Sequence, residues 1–224
     1  MAVSDENTTD TSSNKRVRER LLDVADELFC EHGFDGTSVR DLAAAAKCNI
    51  ASVNYYFGGK DKLYVEVWRR LLLQMREVRL ESIRNVMSQS GGNPSLEELL
   101  RSFVYSFIGP LTDKGRARQL RRLMAREMLD QHLPPSMFGE EVIAPTMAAM
   151  EKALVKTCPT LEKSKVPLVL FSIAGQLVHT IHIKAMFEQV DSPELPKFDL
   201  AELVDHIVKF SAAGIQAYAE TRTK

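Results

Sequence analysis

The sequence predicts an all-α fold, and three observations carry that prediction. Apolar residues recur at three- and four-residue steps along almost the whole chain. No stretch alternates apolar and polar with the period of two that a half-buried strand needs. Glycines, prolines and capping residues break the pattern at helix-sized intervals. With 224 residues, 45% of them apolar, the chain can bury a real core. Its 29 basic and 30 acidic side chains leave a formal charge of −1, which excludes binding to nucleic acid by bulk charge but allows a local basic face. Cys30, Cys48 and Cys158 form no CxxC pair and suit a reducing compartment. No apolar run approaches the roughly 18 residues of a membrane span. The polar, acidic start, Met1 to Asn14, lacks the basic flank and apolar core of a secretory leader. The expected location is cytoplasmic, without a membrane role.

Residues 1–14 carry no apolar periodicity and read as a disordered tail. Val17, Leu21, Val24 and Leu28 then define an amphipathic helix, which Gly33 stops. Thr37 is the expected cap of a second helix, Ser38 to Ala45, with Val39, Leu42 and Ala43 inward. After a break at Lys47-Cys48-Asn49, Asn49 caps a third helix that runs to Phe57 and ends at Gly58-Gly59. A long helix begins at Asp61 and reaches Ser88. Ser95, three residues before Glu98, is a capping box for a helix expected to end near Gly109-Pro110. Further helices are expected at Arg116 to Leu129, at Phe138 to Thr157 with a kink or split at Pro145, at Val166 to Gln189, and at Leu200 to Glu220.

Two short helices joined by a tight turn behind a supporting helix form a helix-turn-helix layout, which generic helical hairpins share. Specific residues sharpen it. Gly33-Phe34-Asp35-Gly36-Thr37-Ser38-Val39-Arg40-Asp41-Leu42-Ala43, followed by Val53-Asn54-Tyr55-Tyr56-Phe57-Gly58-Gly59-Lys60-Asp61-Lys62-Leu63, resembles the tetracycline-repressor (TetR) family over residues 15–64. The turn Cys48-Asn49-Ile50-Ala51 leading into Tyr55-Tyr56-Phe57-Gly58 looks most like its CecR-like branch. The resemblance implies a helix-turn-helix DNA-binding domain at 15–60, a ligand-binding and dimerisation domain at 61–224, and about nine helices. It also implies a ligand-responsive repressor, released by a small-molecule effector, that dimerises through its last two helices on a palindromic double-stranded operator. The family often has Gly at the position of Lys47, Tyr at that of Asn54, His at that of Tyr56 and Ser at that of Gly59.

The residues expected at DNA are Thr37, Ser38, Arg40, Asn49, Ile50, Ala51, Ser52, Asn54, Tyr55, Tyr56 and Lys60. Arg40 can reach a guanine edge or a phosphate, Asn54 can pair with adenine, and Ser52 can bond either base type. Tyr55 and Tyr56 offer hydroxyls to phosphates, with at least one ring packed under the helix. Ile50 fits core or groove equally well. Lys60, at the start of the long helix, is expected on the DNA backbone. From residue 15 to 62, eight basic residues (15, 16, 18, 20, 40, 47, 60, 62) face eight acidic ones (19, 23, 26, 27, 31, 35, 41, 61), so binding requires charge sorted to one side.

For a ligand, the expected apolar walls are Trp68, Leu72, Met75, Phe103, Phe107, Met124 and Met186, with Arg122, Gln176, His179 and His182 as anchors. Each wall residue also reads as plain core. Gln176, His179 and His182 recur at three-residue steps and fit a dimer interface as well as a pocket. Two histidines without a third ligand make no metal site, and no nucleophile accompanies them. No cofactor and no enzymatic activity are expected. The competing readings are a helical interaction module that does not bind DNA and an α-helical enzyme built on His179 and His182.

Overall fold

A computed structural model describes residues 6–112, 117–187 and 199–220. The all-α expectation holds. Among the described residues there are nine α-helices and no strand: α1 (Glu6–His32), α2 (Val39–Ala45), α3 (Ala51–Phe57), α4 (Lys60–Gln89), α5 (Leu96–Thr112), α6 (Ala117–Asp130), α7 (Ala144–Thr157), α8 (Val166–Phe187) and α9 (Leu200–Glu220). The expected helix ends at Arg116 and Gln189 lie outside the described residues.

Several boundaries differ from the sequence reading, each for a local reason. α1 already includes residues 6–14, where a tail was expected. Extending a formed helix costs far less than starting one. The cap of α2 is Ser38 and not Thr37: Ser38 Oγ accepts from the Asp41 backbone N–H at 3.2 Å while the Asp41 carboxylate accepts from the Ser38 N–H at 3.0 Å. Ser38 is the hydroxyl with an acidic residue three positions on, so only it completes the box. α3 starts at Ala51, yet Asn49 still serves its first turn, its Oδ1 accepting from the Ala51 N–H at 2.9 Å. α5 continues through Pro110 to Thr112, because Gly109 has no Cβ to clash with the proline ring. The split at Pro145 is present as a π-helical turn, Gly139–Ile143, ahead of α7. Pro145 has no N–H for the Glu141 carbonyl, which instead accepts from Arg76 Nη1 at 3.5 Å.

The chain forms two compact units, one of Met1–Leu72 with Lys114–Met137 and one of Leu73–Asp113 with Phe138–Lys224. The first turns of α4 and all of α6 fall in the same unit as α1. In the first unit Phe29, Tyr64 and Trp68 are buried, with Phe34 and His132 stacked beside them. Glu127 of α6 is buried there; its carboxylate accepts from the Tyr64 hydroxyl at 2.9 Å and the Leu133 N–H at 2.7 Å. Burial next to that carboxylate pushes the Tyr64 phenol well above its ordinary value. The second unit packs Ile83, Leu99, Leu100, Phe103, Val104, Met150, Leu154, Ile173, Leu177, Val204 and Val208 into one core.

Candidate functional site

The first unit is built to hold α3 outward. Val53 and Phe57 are its buried anchors, and Gly58 closes it in the left-handed region (φ +75°), donating its N–H to Asn54 O at 2.8 Å. α2 ends in a Schellman turn: Lys47 N–H bonds Ala44 O at 3.1 Å and Cys48 N–H bonds Ala43 O at 3.0 Å. Lys47 occupies that turn at φ +50°, where a side chain strains the backbone. Arg20 Nε donates to the Ala46 carbonyl at 2.6 Å, tying the turn to α1.

With the turn fixed, Arg40, Asn49, Ile50, Ala51, Asn54 and Tyr55 are exposed, and Ser52 is half-buried. Ile50, placed in the core by its spacing and in the groove by the resemblance, is 46% exposed and therefore outside the core; Tyr55 is 76% exposed, its ring edge-on to Tyr56. Tyr56 is half-buried and donates its hydroxyl to Asn14 Oδ1 at 2.8 Å, so the tyrosine pair divides between surface and packing. Ser38 is exposed but engaged in its capping box, whose hydrogen bonds lower the pKa of Asp41.

Two expected DNA contacts are turned inward. Thr37 is 1% exposed and donates its hydroxyl to the Gly33 carbonyl at 2.8 Å, which removes it from any surface. Lys60 Nζ donates to Phe34 O at 2.9 Å and Thr37 O at 3.1 Å and lies 4.0 Å from the centre of the Phe34 ring. Its ammonium clamps the turn before α2, with one of three donors left over. The position at a helix start, which suggested a phosphate, also faces those two carbonyls, and only the folded turn shows it. Charge is sorted in part: Arg70 holds Asp23 at 2.5 Å and Asp26 at 3.1 Å, and Asp41 is folded into its cap.

The expected ligand residues do not gather in one place. Trp68 and Leu72 are fully buried in the first unit; Arg122 is exposed and Met124 half-buried on α6, also in the first unit. Met75 and Phe103 are buried in the second unit, with Phe107 packed against its core. Gln176 is half-buried and donates to Ser172 O at 3.3 Å, while His179 is exposed, on the helix that also exposes Leu168, Phe171 and Val178. The side chains of His182 and Met186 lie outside the described residues. Among the described residues no group of three or more His, Cys, Asp or Glu could hold a metal ion, and no helix is long and apolar enough to cross a membrane.

Sequence reasoning missed Arg79. It occupies the inward stripe of α4 between Met75 and Ile83, only 7% exposed, its guanidinium carbon 4.2 Å over the Phe107 ring. Its Nε has no hydrogen-bond partner, and burial pushes its pKa down to about 10, which leaves it cationic at neutral pH. An arginine four residues after one apolar stripe position and four before another was the available signal. An open groove of about 740 Å³ lies between α4 and α5, lined by Val78, Ser82, Val86, Arg101, Ser102 and Tyr105. Its polar groups serve the fold: Ser82 bonds Ser102, and Arg101 binds Asp205 at 2.6 Å.

Comparison with known proteins agrees with this geometry. Residues 21–67 match the family of bacterial regulatory proteins of the tetR type, and residues 96–215 match the C-terminal domain of the HTH-type transcriptional dual regulator CecR. The chain is 31% identical over 112 residues to the HTH-type transcriptional regulator YttP of Bacillus subtilis, covering 50% of each. It is 28% identical to CecR of Shigella flexneri over 139 residues, 60% of this chain and 61% of that one. It thus spans between half and about three fifths of these curated relatives. A TetR-family regulator from Mesorhizobium loti has the same fold, with a TM-score of 0.66 at 20% identity over 91% of this chain and 96% of that one.

Proposed function

The chain belongs to the TetR family of bacterial regulatory proteins, and from that premise we propose that it is a DNA-binding transcriptional regulator and not an enzyme. In this reading it is a repressor that binds a palindromic operator as a homodimer and leaves it when a small-molecule effector binds. The observation that carries the reading is the outer face of α3. Ala51, Asn54 and Tyr55 are exposed on a seven-residue helix anchored by Val53 and Phe57, with Ile50 exposed at its N-cap. A major groove accepts such a helix, where Asn54 and Ser52 read base edges and Arg40 reaches a guanine or a phosphate. Lys60 acts as a positioning residue that sets the turn.

Dimerisation is supported by α8 and α9, which leave Leu168, Phe171, Val178, Phe210 and Tyr218 exposed in the single chain. On the same helices a Cβ at Gly175 or Gly214 would meet nothing within 4 Å, which leaves room for a second backbone. An isologous pairing there gives the two-fold axis that a palindrome requires. Effector response is supported by α4, a single helix that contributes to both units. An effector must favour the conformation with lower DNA affinity, and by linkage DNA weakens the effector by the same factor.

Selection of bound duplexes from fragmented total DNA, followed by gel shifts on half-site variants, tests the reading. Ser52→Ala and Asn54→Ala are expected to change base preference, each lost contact removing about 1–3 kcal/mol of discrimination. Absence of any specific duplex, with both variants unchanged in every other respect, favours an interaction module without DNA binding. Sedimentation showing only monomer at micromolar concentration would remove the dimer from the proposal.

A further inference from the structure

We propose that the second unit holds an anionic effector, a carboxylate on an apolar body, with its oxyanion docked on Arg79 and its body against Phe107. The proposal rests on the effector-responsive reading above and names the chemical class of that effector.

The arginines of this unit and of α4 supply the argument. Arg70, Arg76, Arg84 and Arg101 each have a carboxylate partner, in Asp23 and Asp26, Glu141, Glu77 and Asp205 respectively. All of them are more exposed than Arg79. The most buried arginine is the one that has no carboxylate among the described residues. Surface arginines lose little without a partner, since water serves them; the buried Nε of Arg79 does not have that recourse. The Phe107 ring attracts the cation through its face but accepts none of the five N–H donors, which lie in the guanidinium plane. A planar, two-oxygen acceptor matches that fork, and a carboxylate is the common small-molecule group of that shape. Met75 and Ile83, one turn to either side on α4, and Phe103 and Phe107 on α5 are apolar, so the rest of the occupant must be apolar too.

The test uses the full chain with benzoate, 1-naphthoate and decanoate, each beside its neutral amide, and acetate as an anion without a body. Thermal midpoint and calorimetric affinity are read for the wild type, Arg79→Met and Arg79→Lys. At least one of the three carboxylates is expected to raise the wild-type midpoint, while its amide and acetate at equal concentration do not. Arg79→Met is expected to keep its midpoint without ligand, or exceed it, because an apolar side chain of similar length replaces an unpaired buried charge. It should bind the same carboxylate at least about tenfold more weakly, the loss expected for a charge-assisted bidentate contact. Arg79→Lys keeps the charge without the fork and should fall between them, and it serves if Arg79→Met does not fold. Equal binding by wild type and variants overturns the proposal. So does an amide or acetate as effective as the carboxylate, or no stabilisation by any of the three. Operator affinity is measured separately: a carboxylate that binds through Arg79 but leaves operator affinity unchanged refutes effector release and leaves the Arg79 site standing. Release by a neutral compound that ignores Arg79 does the reverse.

Discussion

The interiors of the two units differ in how many of their buried polar groups are engaged. In the first, most buried polar side chains have defined partners. Glu127 has the Tyr64 hydroxyl and the Leu133 N–H, Thr37 has the Gly33 carbonyl, and Asp26 has Arg70 and the Cys30 thiol. His132 Nε2, which makes no hydrogen bond, still faces the Asp35 carboxylate at 3.8 Å. In the second unit Arg79 Nε and the hydroxyls of Thr146 and Ser211 are buried without any partner. A saturated interior fixes one geometry, which a helix that must enter a groove in a set orientation requires. A buried donor without a partner calls for an explanation, and a molecule from outside is one. On the function proposed above, the contrast fits rigidity in the unit that carries α3 and ligand chemistry in the other.

The largest expected effect comes from breaking the saturated side. Glu127→Leu strands the Tyr64 hydroxyl and the Leu133 N–H in the core, at a cost of about 3 kcal/mol. Trp68 is the only tryptophan and sits in the same unit, so urea unfolding followed by its fluorescence reads this loss directly. A change below about 1 kcal/mol would mean that those two groups find water and that the contrast is overstated.

Lys60→Met is next. Loss of its two carbonyl contacts should cost about 1–2 kcal/mol of stability and weaken binding to every operator variant alike. The salt dependence separates clamp from phosphate contact. A phosphate-bound lysine contributes about 0.9 to the slope of log K against log salt, so the clamp predicts an unchanged slope in the variant.

The smallest and sharpest comparison pairs one threonine from each unit. Thr37→Val removes a hydroxyl that donates to a buried carbonyl and should destabilise by about 1 kcal/mol. Thr146→Val removes a hydroxyl that bonds to nothing and should be neutral or slightly stabilising. Thermal unfolding followed by circular dichroism gives both values, and equal losses would erase the distinction between the units.

The sequence by itself determined the helices and most of their ends, because periodicity and caps are local. Ser95 and Glu98 form the expected box, with the Ser95 N–H donating to Glu98 Oε2 at 2.8 Å, and Gly33 and Gly58 both take positive φ where the stops were expected. Even the misplaced cap was legible, since Asp41 stands three residues after Ser38 and not after Thr37. Exposure of Asn54 and Tyr55 also followed from helix spacing around Val53 and Phe57, and that of Arg40 from spacing around Leu42 and Ala43. Tertiary structure alone decided which charges are spoken for. Lys60 is occupied by carbonyls 23 and 26 residues away, Glu127 is reached by Tyr64 from 63 residues away, and α6 joins α1 from far along the chain. Among the described residues Arg79 is left without a carboxylate while Arg76 and Arg84 on the same helix have theirs. Hydrogen bonds and ion pairs act over a few ångströms, so whether a charged group is satisfied depends on distant segments brought within reach, and spacing along one helix does not encode that.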